Sequence, residues 1–377
     1  MGCKILGDGL VWLPLTLLAI APGGCAGTST PSNTGQPADE TGDSTIINPG
    51  SPDDEADGAH GNGPVNGIPG NDDLAAPGTP TAKRSYLEGL AESQGPGDHF
   101  DFDEASHWVR TSSLHGTEFS IAIDRTVLDA AEGLLADEFA DFVEACFHAA
   151  WHVYDGYAFD RYAVRVRAED GDEGFSLSPV GITISAADYA APWGLEVIAH
   201  EMFHSWNGKF VQPEPDAPDD LFQWETWIVE GATVYYSFRH MGFALGEDEF
   251  EDGMSFRLET YHEYVGTDYD LSIAELAAMI GSAPPGDAST QAPTNMLYAR
   301  GALVCYMLDL ELAEEGLSLD DVLRSLYLDA LAGRKWTRAR LQEVVESLSD
   351  IDFEAFLAQW IDRNAELPLD GAFELRD

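Results

Sequence analysis

Positive charge is scarce in this 377-residue chain, where 19 lysines and arginines face 67 aspartates and glutamates for a formal net charge of −48. That balance argues against a nucleic-acid partner, whose affinity comes from basic patches. It fits solubility in salty surroundings and favours basic over acidic peptides, through a field that salt screens. Cysteine is scarce too. Of the four cysteines, Cys3 and Cys25 lie near the N-terminus, which leaves Cys146 and Cys305 either to pair as a disulfide in an exported protein or to sit apart as ordinary buried residues. An internal repeat is lacking, and the apolar run from Leu10 to Ala21 has only 12 residues, too short to span a bilayer.

Large apolar and aromatic residues are almost missing from residues 26 to 84, which are instead rich in Gly, Pro, Ser, Thr, Asp and Asn. Such a stretch cannot bury enough surface to offset its ordering entropy, and it reads as a flexible tether. Between Ala26 and Pro80 it carries nine acidic residues and no lysine or arginine, so self-repulsion keeps it extended. Upstream, Lys4, the apolar run and Pro22-Gly23-Gly24-Cys25 resemble a bacterial lipoprotein signal, with Pro22 where leucine is usual. The expectation is a signal at 1–24, lipidation at Cys25, and a protein anchored by lipid in the cell envelope or at the cell surface. Ordinary cleavage that leaves Cys25 unmodified would make it a secreted protein instead.

What the chain does contain is His200-Glu201-Met202-Phe203-His204. Leu195, Ile198, Ala199, Met202 and Phe203 supply an apolar stripe, Pro192 suits a first turn, and Gly208 can stop the helix. Histidines four apart on a helix project from one face and can share one tetrahedral zinc. Glu201 then lies beside the metal, where it can take a proton from an activated water and pass it to a leaving amine.

A catalytic zinc site needs a third protein ligand, and Glu230 is the candidate. It sits in Trp227-Ile228-Val229-Glu230-Gly231, an apolar segment that reads as a second buried helix, where an ionised carboxylate is costly unless compensated. The plainer alternative is a glutamate at a helix surface or in a core ion pair. Tyr298 offers a phenol donor for an oxyanion, although it is one of 13 tyrosines and most such residues only pack and bond locally.

Three ordered segments carry a family resemblance: His200-Glu201-x-x-His204-Ser205-Trp206-Asn207-Gly208-Lys209, then Trp227-x-x-Glu230-Gly231-x-Thr233-x-Tyr235-Tyr236, then Tyr298-x-Arg300-Gly301-Ala302-Leu303. They resemble the motifs of metallopeptidase family 61, the glycyl aminopeptidases, which are gluzincins related to the aminopeptidase N family. Phe159-Asp160-Arg161-Tyr162, Trp336-Thr337, Asp352-Phe353-x-x-Phe356 and Leu367-Pro368-Leu369 extend the likeness to about residues 115–369. The resemblance implies one zinc held by His200, His204 and Glu230, with Glu201 as general base and Tyr298 stabilising the oxyanion. It implies a peptide or protein as substrate.

One departure bears on specificity. The family's Gly-Gly-Leu-Glu-His segment carries a glutamate for the substrate's free amino terminus, and an ungapped count from Asp160-Arg161-Tyr162 puts Leu177 in its place. Leucine cannot pair an ammonium, so either Glu173 substitutes through a shifted register or the protein leans towards endopeptidase activity. Phe210 likewise stands where the family has an arginine. A second reading follows from these missing recognition residues: a retired peptidase serving as a peptide- or protein-binding module at the surface.

The expected fold is α+β, a strand-bearing lobe followed by an all-helical lobe with the zinc helix at their junction, the thermolysin-like arrangement that the resemblance implies. Strands are predicted at Phe119–Asp124, Tyr162–Ala168 and Val180–Ser185, and one long helix at 127–153. Helical spacing recurs at Val322–Leu331, Leu341–Leu348 and Phe353–Ile361, with Ser318 and Thr337 as caps. The predicted organisation is a tether at 25–84, a lead-in at 85–114, the catalytic unit at 115–369 and a tail at 370–377. Relative to the family this is close to a bare catalytic unit, without a full N-terminal β-domain or an appended PDZ domain.

Overall fold

The computed structural model describes residues 102–130, 135–168, 175–185, 192–214, 225–283, 287–369 and 373. The signal, Cys25 and Glu173 lie outside the described residues.

Five strands form one sheet in the order β1-β2-β3-β5-β4: β1 (His107–Leu114), β2 (Thr117–Asp124), β3 (Arg161–Arg167), β4 (Phe175–Ser178) and β5 (Gly181–Ser185). β1 and β2 form an antiparallel hairpin from His107↔Asp124 to Leu114↔Thr117. Its tip is His115-Gly116, both with positive φ (51° and 84°), as a two-residue hairpin turn of the tight primed kind requires. β2 runs parallel to β3, and β3 to β5, whereas β4 returns antiparallel on the far edge. Strand β1 thus extends the sheet into the lead-in before residue 115.

A parallel β2–β3 pair needs a crossover, and helices α1 (Arg125–Ala130) and α2 (Ala136–Tyr154) supply it. The single helix expected over 127–153 is therefore corrected to two. Leu135 is extended (φ −68°, ψ 152°) and starts α2 afresh. Along α2, Phe139, Val143, Cys146, Phe147, Ala150 and Val153 are buried at helical spacing. Phe147 meets Phe119 of β2 at 4.8 Å, Tyr162 of β3 at 5.3 Å and Trp206 at 5.3 Å, so one ring joins sheet, crossover and the end of the next helix.

From Pro192 onward the described elements are helical: α3 (Pro192–His204), a π-helical turn (Trp227–Gly231) leading into α4 (Ala232–Leu245), α5 (Glu247–Tyr264), α6 (Ile273–Ser282), α7 (Gln291–Glu314), α8 (Leu319–Leu331), α9 (Arg338–Leu348) and α10 (Phe353–Trp360). The expected caps hold. The N–H and hydroxyl of Ser318 both donate to the Asp321 carboxylate at the start of α8, and Thr337 accepts from the Arg340 N–H at the start of α9. Cys146 and Cys305 are both free and buried, so the disulfide alternative is overturned in favour of two separate core thiols. Among the described residues no helix is long and apolar enough to cross a membrane.

Candidate metal centre

Helix α3 begins with proline at its first position, where no backbone N–H is needed. Ile198, Ala199, Met202 and Phe203 are fully buried. His200 and His204 lie one turn apart and are only 5% and 3% exposed. The helix ends at His204 rather than at Gly208, which instead adopts φ +91° in the loop that follows. That loop is anchored to the first lobe, because the Trp206 indole donates to the Gly156 carbonyl (2.8 Å) and the Ser205 and Tyr162 hydroxyls bond at 2.9 Å.

Glu230 projects from the π-helical turn, where an ordinary helix was expected. Asn207 explains how the wide turn is held. Its side-chain amide donates to the carbonyls of Ile228 (2.8 Å) and Val229 (3.0 Å) and lies 3.1 Å from the Thr233 hydroxyl, which in turn donates to Val229 (2.6 Å). Its backbone carbonyl lies 3.0 Å from Nδ1 of His204. With the proton on Nδ1, the His204 ring keeps its Nε2 lone pair for the centre, and one residue fixes both that ring and the turn carrying Glu230.

The three expected ligands converge. Nε2 of His204 lies 3.0 Å from Nε2 of His200 and 3.2 Å from Oε2 of Glu230, and the His200–Glu230 separation is 3.5 Å. Two imidazole nitrogens and a carboxylate oxygen at these spacings, all buried, are the donor set of a catalytic zinc site. The residues fit a zinc ion.

The electrostatics follow. Burial works against the charged carboxylate of Glu230, yet His204 and His200 outweigh it and hold the group well below the usual carboxylate range. Burial likewise disfavours a cationic His204, and Glu230 overcomes that and raises it. Lys209, on the loop after α3, is buried and pushed down to about 8 by desolvation, against the opposing pull of Glu201 and Glu230. Glu201 itself is 5% exposed.

Tyr298 comes from α7. Its ring lies 6.2 Å from that of His200 at 23°, and burial, with the charges of Glu230 and Glu201, pushes its phenol well above the ordinary tyrosine value. α7 approaches the π-helical turn this closely because two glycines face each other. A Cβ on Gly231 would sit 2.5 Å from the carbonyl carbon of Gly301. Arg300, next to Gly301, is fully buried and donates to the side chain of Asn364 (2.8 Å) and the carbonyl of Ala365 (2.8 Å), tying the last segment to α7. Leu177 lies on the edge strand β4.

Residues 193–304 match the family model of the M61 glycyl aminopeptidases. That stretch contains His200, Glu201, His204, Glu230 and Tyr298, and the resemblance read from the motifs is borne out. Among solved structures, an aminopeptidase N family protein from Idiomarina loihiensis is 18% identical, with a TM-score of 0.57 over 70% of this chain and 48% of its own. An M1 zinc metallopeptidase from Deinococcus radiodurans is 19% identical, with a TM-score of 0.47 over 70% of this chain and 53% of its own. The first of these bears out the α+β fold. The chain spans about half the length of the solved structures it matches.

Asn207, Thr233, Gly231 and Gly301 stood in the motifs without a role. Their functions depend on contacts between segments far apart in sequence, and only the unusual pairing of small residues in two buried helical segments hinted at one of them.

Proposed function

We propose that this protein is a zinc-dependent peptidase that hydrolyses peptide bonds by attack of an activated water. The observation that carries the reading is the buried convergence of His200, His204 and Glu230 within 3.5 Å, with Glu201 on the same helix and Tyr298 facing from α7. A zinc ion, when bound to those three side chains, supplies Lewis acidity to the reacting water and carbonyl. Glu201 takes the proton from the attacking water and delivers it to the leaving amine. The Tyr298 phenol, kept protonated by its surroundings, donates a hydrogen bond to the oxygen on which charge develops. Asn207 keeps His204 and Glu230 in register throughout.

The departure at Leu177 supports a site with little demand for a free amino terminus, so the activity leans towards an endopeptidase. The N-terminal pattern supports export and a lipid anchor at Cys25, and mass spectrometry of the native N-terminus tests this. A mature start downstream of Cys25 would make the protein soluble and secreted.

Metal content of the purified protein, measured beside cleavage of a mixed peptide library with and without chelator, tests the main reading. Bound zinc with chelator-sensitive cleavage is expected. Bound zinc without cleavage would point to a retired peptidase that binds peptides, and absence of zinc binding would sink the zinc-peptidase reading.

A further inference from the structure

We infer that His115, His148 and His152 form a second metal site, for a divalent transition ion of the imidazole-preferring class such as zinc or copper. The three come from two elements. His115 sits at the tip of the β1–β2 hairpin, and His148 and His152 lie four residues apart on α2, so they share one face of that helix. Nε2 of His115 is 2.6 Å from Nδ1 of His148, and Nε2 of His152 is 3.1 Å from Nε2 of His148. One ligand atom from each falls within 4.8 Å of the others. Nitrogens around a tetrahedral zinc stand about 3.3 Å apart, given Zn–N bonds of about 2.0–2.1 Å; His148 meets its two neighbours through different nitrogens, so gathering one nitrogen from each ring on a single ion requires the rings to reorient within that 4.8 Å cluster.

The rings are held in place by their neighbours. Trp151 stacks on His115 at 3.9 Å and 3°, and Phe243 lies 5.9 Å from His148. Two of the three residues are exposed, which leaves the ion a route in and positions for water. The strongly acidic chain draws cations towards its surface. None of the three histidines belongs to the centre on α3.

An ion here would clamp the hairpin tip to α2. Imidazole suits zinc, copper, nickel and iron, and three imidazoles without a thiolate or carboxylate select against magnesium and calcium. The alternative is a purely hydrogen-bonded stack, with the His148 ring donating to one partner and accepting from the other.

The test is zinc content by elemental analysis after equilibration with zinc and dialysis, on the full chain, for the wild type, His148→Ala, His115→Asn and His204→Ala. Asparagine accepts the left-handed turn conformation, so His115→Asn removes a ligand while keeping the hairpin. Wild type should hold about two zinc ions per chain, and each of the three variants about one. Zinc should also raise the melting temperature of His204→Ala but not of a His204→Ala, His115→Asn double variant, as expected of a ligand that binds the folded state alone. If His115→Asn and His148→Ala hold as much zinc as wild type, the second site does not exist. If only His204→Ala matches wild type, the second site stands and the α3 centre falls.

Discussion

The backbones of Gly231 and Gly301 touch: a Cβ on Gly231 would meet the Gly301 carbonyl carbon at 2.5 Å and its Cα at 2.6 Å. Neither neighbour is a flexible side chain that could move aside. Gly231→Ala should therefore cost about 1–3 kcal/mol, the usual range for overpacking, and shift Glu230 beside it. Thermal unfolding and zinc content check this. Gly301→Ala should be milder, since its own Cβ would first meet Gly231 Cα at 3.0 Å. An alanine at 231 with wild-type stability and full zinc would show that the close approach is dispensable.

Asn207 ties the His204 loop to the turn of Glu230. Asn207→Ala removes the side-chain donor to the buried Ile228 carbonyl and one of two side-chain donors to that of Val229, at about 1 kcal/mol per hydrogen bond lost. Loosening residues that support metal ligands typically lowers metal affinity by about 10–100-fold. A competition titration against a zinc chelator measures it, and unchanged affinity would mean that the π-helical turn holds itself.

His240 yields a pH dependence. It is buried on α4 against Phe203 and Tyr236, and neither ring nitrogen has a hydrogen-bond partner among the described residues. Desolvation, assisted by Arg239, pushes it down to about 3. The unfolded chain takes up this proton near its ordinary value of about 6.5, whereas the folded chain does so only near 3, so stability falls as pH drops through that window. Denaturant melts of wild type and His240→Leu at neutral pH and at about pH 5 isolate the effect. The wild type should lose more stability on acidification than the variant, and equal losses would refute the assignment.

The proposed endopeptidase leaning rests on Leu177 of β4 occupying the family's amino-terminus-binding position. Without a carboxylate at that place, the desolvation of a substrate ammonium is left uncompensated, and N-terminally acetylated peptides should be cleaved at least as readily as free ones. Kinetics on matched free and acetylated peptides decide this. Release of single residues from free peptides, with acetylated ones resistant, would restore an aminopeptidase.

The candidate ligands could be picked out from sequence on local signals: His200 and His204 share a helix face by spacing alone, and Glu230 is an acid inside an apolar run. The end of the second lobe was readable for the same reason, with α8 and α9 marked by caps and periodicity and α10 by periodicity alone. Strand β1 was not, since HWVRTSSL sits on the sheet edge and its burial comes largely from pairing and from α2. The restart of the helix at the extended Leu135 is one residue's departure, too little to disturb a helical pattern spread over 127–153. Asn207, the Gly231–Gly301 contact and the His115–His148–His152 cluster join residues 20 to 70 positions apart, which periodicity does not register.

The most direct test of the account is the pair Glu201→Gln and His204→Ala, each measured for bound zinc and for peptide turnover. Glu201→Gln should retain about one zinc at the α3 centre while losing nearly all turnover, because the metal ligands remain and the proton acceptor is gone. His204→Ala should lose both. Tyr298→Phe, by comparison, should reduce turnover by on the order of a hundred- to a thousandfold with zinc intact. Wild-type turnover in Glu201→Gln, or full zinc at the α3 centre in His204→Ala, would contradict the account.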